Sequence, residues 1–252
     1  MFRFDFPIVF IIFSISLFFY SQIFMTISTF SFLYPISITL DHYLSSNVFA
    51  QMPDIKKTDK TIMPSLSLFN LIKQGSPYQG NKSAPVVLID FSDLQCKLCQ
   101  RFVKSTEPLI NSTYIQTGKV ILIFKHLPNR GFDSMPASLA AQCTNDQGKF
   151  WQFHNVLYNV QGPIDSGWAS KDNLKKMALQ IPGLDIEKFI SCFDSQKYKS
   201  LVQSDIELAH SLGFTQTPSF IIEKNNDSNI QKIEGAQPFA AFKAVVDKEL
   251  GQ

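Results

Sequence analysis

Two cysteines stand two residues apart in the stretch Ile89-Asp90-Phe91-Ser92-Asp93-Leu94-Gln95-Cys96-Lys97-Leu98-Cys99. Thiol–disulfide exchange needs a thiolate, and a free cysteine with a pKa of about 8.5 is only slightly ionised at neutral pH. The first amides of a helix are unpaired and carry partial positive charge, so they favour an anion. With Cys96 at such a cap and Cys99 one turn inside, Cys96 is expected to be the more exposed and more acidic thiol. Cys99 is then close enough to close a disulfide with it or to resolve a mixed one. A zinc site needs about four ligands, commonly as two pairs. The chain has no second Cys-x-x-Cys, Cys143 and Cys192 are far apart, and the four histidines show no ligand spacing. No metal and no cofactor are therefore expected. A lone Cys-x-x-Cys can also be structural or accidental, and the elements around it decide which reading is favoured.

Those elements are a strand before the pair and a helix after it. Val86–Phe91 is a continuous, β-branched apolar run, as in a buried parallel strand. A helical stretch is predicted from about Cys99 to Thr117, stopping near Gly118, and "KVILIFKHLP" then reads as a second buried strand ended by Pro128. Strand, helix, strand in this span is a βαβ unit. The middle of the chain is helical: "SMPASLAAQC", "GKFWQFHNVLYNV", "KDNLKKMALQ", "DIEKFISCF" and "SLVQSDIELAHSLGF". The last of these places Val202, Ile206, Ala209 and Leu212 on one face. "PSFIIEK" and "IQKIEGA" read as two further strands, and "PFAAFKAVVDKEL" as a closing amphipathic helix. The order predicts an α/β fold: a central mixed sheet flanked by helices, with an all-helical insertion over about residues 130–195. Trp151 and His154 are read as helix packing, and His126 as a candidate at a strand end near the active-site edge.

The segment "VVLIDFSDLQCKLCQRF" resembles the active-site segment of the DsbA-like thiol:disulfide oxidoreductases of the thioredoxin superfamily. "GKFWQFHNVLY" is similar to part of that family's helical insertion, "GFTQTPSFII" to its cis-proline loop, and "IEGAQPFAAFKAVVDKEL" to its C-terminal strand and helix. The resemblance spans roughly residues 65–250 and implies a thioredoxin-like fold. It implies that Cys96 is the nucleophile and Cys99 the resolving thiol. It also implies that Thr217 and Pro218 form a substrate-binding loop with a cis bond between them, where the bare sequence would allow a turn opening a strand. Asp90, six residues before Cys96, falls where the superfamily often has a buried acid able to accept the proton that Cys99 loses. The plain alternative is a strand-end carboxylate in solvent. Many relatives have proline after the nucleophile, whereas this chain has Lys97 and Leu98. That dipeptide is expected to tune the potential, since a cation near Cys96 favours its thiolate. Some relatives also pair two further cysteines. The corresponding expectation is a structural disulfide between Cys143 and Cys192, worth about 4 kcal/mol in the chain-entropy model; the alternative is two thiols packed as small hydrophobes.

The N-terminal fifth differs from the rest. Phe6 to Leu40 carries no charged residue, and eleven of the 24 phenylalanines precede residue 51. Val48-Phe49-Ala50 before Gln51 resembles a signal-peptidase site. Three readings compete: a long cleaved signal, a retained anchor, or a two-span hairpin. Export is favoured, because the cleavage-like pattern and the cysteine usage agree. The expected domains are therefore a signal peptide or membrane anchor at 1–50, a polar linker at 51–64 and one DsbA-like thioredoxin domain at 65–252. A formal net charge of +2 without a basic stripe gives no reason to expect nucleic acid as a partner. The resulting expectation is an extracytoplasmic thiol:disulfide oxidoreductase, secreted or membrane-anchored. Its partners would be thiol-containing exported proteins and a redox partner that regenerates the active disulfide. A reductase or isomerase, or an anchored module that binds clients without catalysis, are the alternatives.

Overall fold

The two apolar runs expected as buried strands lie at the centre of a five-stranded sheet. A computed structural model describes residues 67–225 and 229–252; the expected signal or anchor at 1–50 and the linker at 51–64 lie outside the described residues. In chain order the elements are α1 Leu68–Lys73, β1 Tyr78–Gln79, β2 Val86–Ser92, α2 Lys97–Ser105, α3 Glu107–Ile110 and a π-helical turn at Asn111–Ile115. Then come β3 Val120–His126, α4 Ser134–Asn145, α5 Phe150–Val160, α6 Lys171–Ala178, α7 Ile186–Asp194 and α8 Lys199–Ser211. β4 Ser219–Lys224, β5 Gln231–Glu234 and α9 Phe239–Leu250 close the chain.

The sheet order is β1-β3-β2-β4-β5. β2 runs parallel to β3, with Val86 opposite Val120 and Ser92 opposite His126. It runs antiparallel to β4, with Val86 opposite Lys224. Both central strands are buried throughout, which is why their sequences are apolar without alternation. Successive side chains still point to opposite faces. Val87, Ile89 and Phe91 pack with Leu71 of α1 and Ala209 of α8. Val86 and Leu88 pack with Phe102 of α2, Ile110 of α3 and Phe242 and Val246 of α9. Phe102 joins the two sides of that layer, its ring 4.5 Å from Phe220 and 5.4 Å from Phe242. Asp90 follows Leu88 by two residues and so faces the layer of α2, α3 and α9. A third core gathers α4–α7 and includes Cys96, Cys99, Cys143 and Cys192.

The backbone departs from the sequence reading in two places. The expected cap at Cys96 is present, but the single helix expected to run to Thr117 breaks at Thr106. Pro108 has no amide to continue the ladder, and the Thr106 hydroxyl donates to the Gln237 carbonyl at 3.1 Å. The turn-rich piece before β2 contains the edge strand β1, which pairs with β3 through Tyr78 and Ile123. Trp151 fixes it by donating its indole N–H to the Tyr78 carbonyl at 2.8 Å. Gly80 ends this strand at φ +103°, where a Cβ would meet the Val120 carbonyl oxygen at 2.7 Å. No residue with a side chain fits there.

Candidate active site

Cys96 ends a turn closed by its amide on the Asp93 carbonyl (3.0 Å) and caps α2 with extended φ/ψ. Its sulfur accepts the Cys99 amide at 3.3 Å. The two cysteines are unbridged thiols in this structure. Their environments push them apart. Cys96 is brought down to about 6 by a hydrogen bond from the Cys99 thiol, helped by the Thr217 side chain, the Cys99 amide and the charge of Arg130, with desolvation opposing. Cys99 is held well above the usual thiol range, first by burial and then by donating to Cys96 and by the negative charge of Asp90. Cys96 is more acidic, but it is not an exposed thiol: it retains 2% of its surface against none for Cys99. The helical block closes over it.

Thr217 and Pro218 are joined by a cis bond, and the loop meets the cysteine directly. As a thiol, Cys96 donates to the Thr217 carbonyl at 3.2 Å. Arg130 holds the same carbonyl from the other side at 3.1 Å and donates to the Thr217 hydroxyl at 3.2 Å. Arg130 is itself placed by Asp93, a buried carboxylate that accepts the amides of Gln95 (2.7 Å), Asn129 (2.7 Å) and Arg130 (2.8 Å). One side chain thereby ties the loop after β2 to the loop after β3. Gln161 adds a third tie, donating to the Leu94 and Cys96 carbonyls at 2.8 and 3.2 Å.

The Lys97–Leu98 dipeptide sits otherwise than a simple charge argument suggests. The Lys97 ammonium is drawn to the Gln161 carbonyl at 3.1 Å, and Leu98 stands 41% exposed beside the thiols. The cation whose charge lowers the Cys96 pKa is Arg130, which the sequence reading did not single out. Neither did it single out Asp93 or Gln161. An arginine in a loop reads as solvated, and only the 87-residue link to Thr217 gives it a place.

Beneath the pair lies Asp90, buried, with the Ser92 hydroxyl donating to it at 2.5 Å. Desolvation raises its pKa to about 7, against the Ser92 bond and with the Cys96 charge adding to the rise. The solvated alternative is thus excluded for this carboxylate. His126 and His154 are both buried and pushed down to about 4 by desolvation, so both are neutral at physiological pH. His154, Trp151 and Phe150 form an aromatic cluster around Phe124. Cys143 of α4 and Cys192 of α7 are disulfide-bonded, with Cα atoms 5.9 Å apart, and pin two helices of the block. No group of three or more metal-ligating side chains occurs among the described residues.

A thiol at a helix cap, its partner one turn in and a cis-proline loop against the sulfur, all on a mixed sheet, define a thioredoxin-fold dithiol–disulfide protein. The family described as Thioredoxin matches residues 73–248. The chain belongs to that family, on its DsbA-like side, and is a protein-disulfide oxidoreductase. The probable disulfide bond formation protein D of Bacillus cereus is 30% identical over 175 residues, covering 68% of this chain and 77% of that one. Disulfide bond formation protein D of Bacillus subtilis is 26% identical over 179 residues, covering 70% and 78%. Among solved structures, oxidised BdbD from Bacillus subtilis superposes with a TM-score of 0.64 at 25% identity, covering 71% of this chain and 95% of that one. Wolbachia pipientis alpha-DsbA1 gives a TM-score of 0.61 at 28% identity, covering 70% and 91%.

Arg130→Met tests the electrostatics. Alkylation of reduced Cys96 should follow its thiolate, rising with pH through about 6 in the unaltered protein. Removing the guanidinium should move that midpoint upward by about 0.5 to 1 in pH, and Arg130→Lys should restore part of it. An unmoved midpoint in iodoacetamide kinetics would remove Arg130 from the account.

Proposed function

We propose that this chain is an extracytoplasmic oxidase that gives disulfides to exported proteins through Cys96 and Cys99. A substrate thiolate attacks the Cys96 sulfur of the Cys96–Cys99 disulfide, and Cys99 leaves as a thiolate that takes up a proton from Asp90. A second substrate thiolate then attacks the substrate sulfur of the mixed disulfide and expels Cys96 as a thiolate. The substrate leaves with a disulfide, and both enzyme cysteines are reduced. A membrane or soluble redox partner must then reoxidise them. The Thr217–Pro218 loop holds the substrate beside Cys96, because an extended segment can pair with the loop's main chain.

The observation that carries the direction is the setting of the Cys96 sulfur: it caps α2 and accepts the Cys99 amide at 3.3 Å, with Arg130 on the adjoining Thr217 carbonyl, an arrangement that favours the thiolate and lowers its pKa. A stabilised thiolate stabilises the reduced protein, so the disulfide is the stronger oxidant. The names of the relatives, disulfide bond formation proteins, support the same direction. Export rests on residues 1–50 acting as signal or anchor, with 51–64 as a tether to the domain at 65–252. Among the described residues no helix is long and apolar enough to cross a membrane.

A redox titration against glutathione tests the reading. The expected potential lies closer to about −120 mV than to about −270 mV, the value of a reducing thioredoxin. Its pH dependence should also break near pH 6. Below that point reduction takes up two protons and the slope is about 60 mV per pH unit; above it Cys96 stays ionised and the slope falls to about 30 mV. A potential at or below about −270 mV would reverse the assignment to a reductase or isomerase.

A further inference from the structure

Cys99 has no exposed surface, and Asp90 has 1%. A substrate bonded to Cys96 caps what little access the front of the site offers. The proton that Cys99 exchanges during each turnover therefore needs a second route to water. We infer that Glu107 is the outer group of that route, relaying the proton between Asp90 and solvent at the seam between α2, α3 and the loop before α9. The inference rests on Cys99 acting as the thiol that leaves and re-attacks.

Three observations meet at this residue. Glu107 begins α3 at the break in the helix, where Thr106 is bonded to Gln237. It lies in the layer toward which Asp90 points, and Asp90 is the charged group felt both by Glu107 and by Cys99. Glu107 is 8% exposed, so unlike Cys99 and Asp90 it reaches the surface, yet its Oε2 is buried with no hydrogen-bond partner. Packing does not account for this. A buried carboxyl without a partner costs free energy that an apolar side chain in the same place would not. Of the other charged groups on the surrounding elements, Lys104 of α2 and Lys248 of α9 are exposed to solvent and Glu249 of α9 is half-buried near the chain's end. Arg101 of α2 donates to the Ala236 carbonyl, and Lys243 and Asp247 of α9 pair with each other. Two carboxyls that repel one another across a dry layer cannot both ionise readily, so ionising one favours the protonated form of the other. Burial first, then the charge of Asp90, raises Glu107 to about 8, against about 7 for Asp90. Such near-equal groups can pass a proton in either direction.

The step balances as follows. When Cys99 leaves as a thiolate, Asp90 protonates it and becomes a carboxylate. Glu107 reprotonates Asp90, and water reprotonates Glu107. In the reverse direction each transfer runs backward, and Cys99 becomes the thiolate that resolves the mixed disulfide.

The test follows the reverse direction in the full chain. Reduced protein is mixed with glutathione disulfide, quenched with acid, and its reduced, glutathionylated and oxidised forms are separated by mass. In Glu107→Gln, formation of the Cys96 mixed disulfide should stay within about twofold, since it needs only the Cys96 thiolate. Its resolution by Cys99 should slow about tenfold between pH 6 and 8 and lose its inflection near 8, and Glu107→Asp should restore both. Resolution at the unaltered rate in Glu107→Gln, or equal slowing in both variants, would overturn the relay. If the unaltered protein forms no mixed disulfide at Cys96, the dithiol assignment itself fails, a result distinct from a failed relay. Should Glu107→Gln not fold, carboxyl carbon titration in the unaltered protein decides: linked titrations of Asp90 and Glu107 support the relay, and independent ones overturn it.

Discussion

Replacing Cys96 with serine should abolish disulfide exchange, on the order of a thousandfold or more, while replacing Cys99 with serine should stop the reaction halfway. The difference follows from the roles that the two environments impose. Cys96 is ionised at neutral pH, and a serine hydroxyl in its place is not. Cys99 is protonated and sealed behind it, so its loss leaves the nucleophile intact and removes the group that clears a mixed disulfide. Cys96→Ser should fold, because serine caps a helix at least as well as cysteine does. Oxidation of a dithiol peptide measures the first loss. Non-reducing electrophoresis of cells expressing Cys99→Ser measures the second, as client proteins held on Cys96. Absence of trapped clients, with the thiol of Cys96 still reactive, would count against an oxidase. Biological activity surviving Cys96→Ser would point to a binding module without catalysis.

Asp90→Asn should make the protein more stable and the enzyme worse. The folded carboxyl titrates at about 7 instead of 3.8, mainly because it is desolvated. A raised pKa means that the stability associated with this group is complete below the unfolded value, near 4, and is lost as pH rises through 7. A tenfold difference in proton affinity between the folded and unfolded chains corresponds to about 1.4 kcal/mol. The amide also gives up the ionised form's bond from Ser92, so a net gain of roughly 2–3 kcal/mol is expected at pH 7. The gain should shrink toward zero near pH 4. Urea unfolding of the reduced protein at pH 4 and pH 7 checks this, and a gain independent of pH would contradict the assignment. The same substitution removes the acid next to Cys99, so resolution of mixed disulfides should slow, on the order of a hundredfold, across the neutral range. Reduced Cys96 carries the opposite sign. Its depressed pKa contributes stability that is complete above the unfolded thiol value, near 9, and disappears as pH falls through about 6.

Much of the scaffold could be read from patterning. β2 and β3 were legible because strands buried on both faces must be apolar at every position. α5 and α9 were legible because one face repeats at helical spacing. β1 was not, since two residues between turns carry no period. The break at Thr106 was not either, because it depends on a bond to Gln237, 131 residues away. The same holds at the site. Asp93 and Arg130 look like ordinary loop charges, and Glu107 looks like a favourable acid in a helix's first turn. What separates them from the other charged residues is burial and distance.

The sequence by itself determined the chemistry available: two thiols at the spacing of one helical turn, after a strand, with an acid six residues upstream. That follows from local geometry, which neighbouring residues dictate. Only the tertiary structure decided which charges act on those thiols. It brought Arg130 rather than Lys97 to the Cys96 sulfur through the Thr217 carbonyl, and it buried Asp90 and Glu107 in one layer. Electrostatic energy depends on separation and on the dielectric between the groups. Both are properties of the folded chain, so the tuning of this dithiol is written in contacts and not in the spacing of its cysteines.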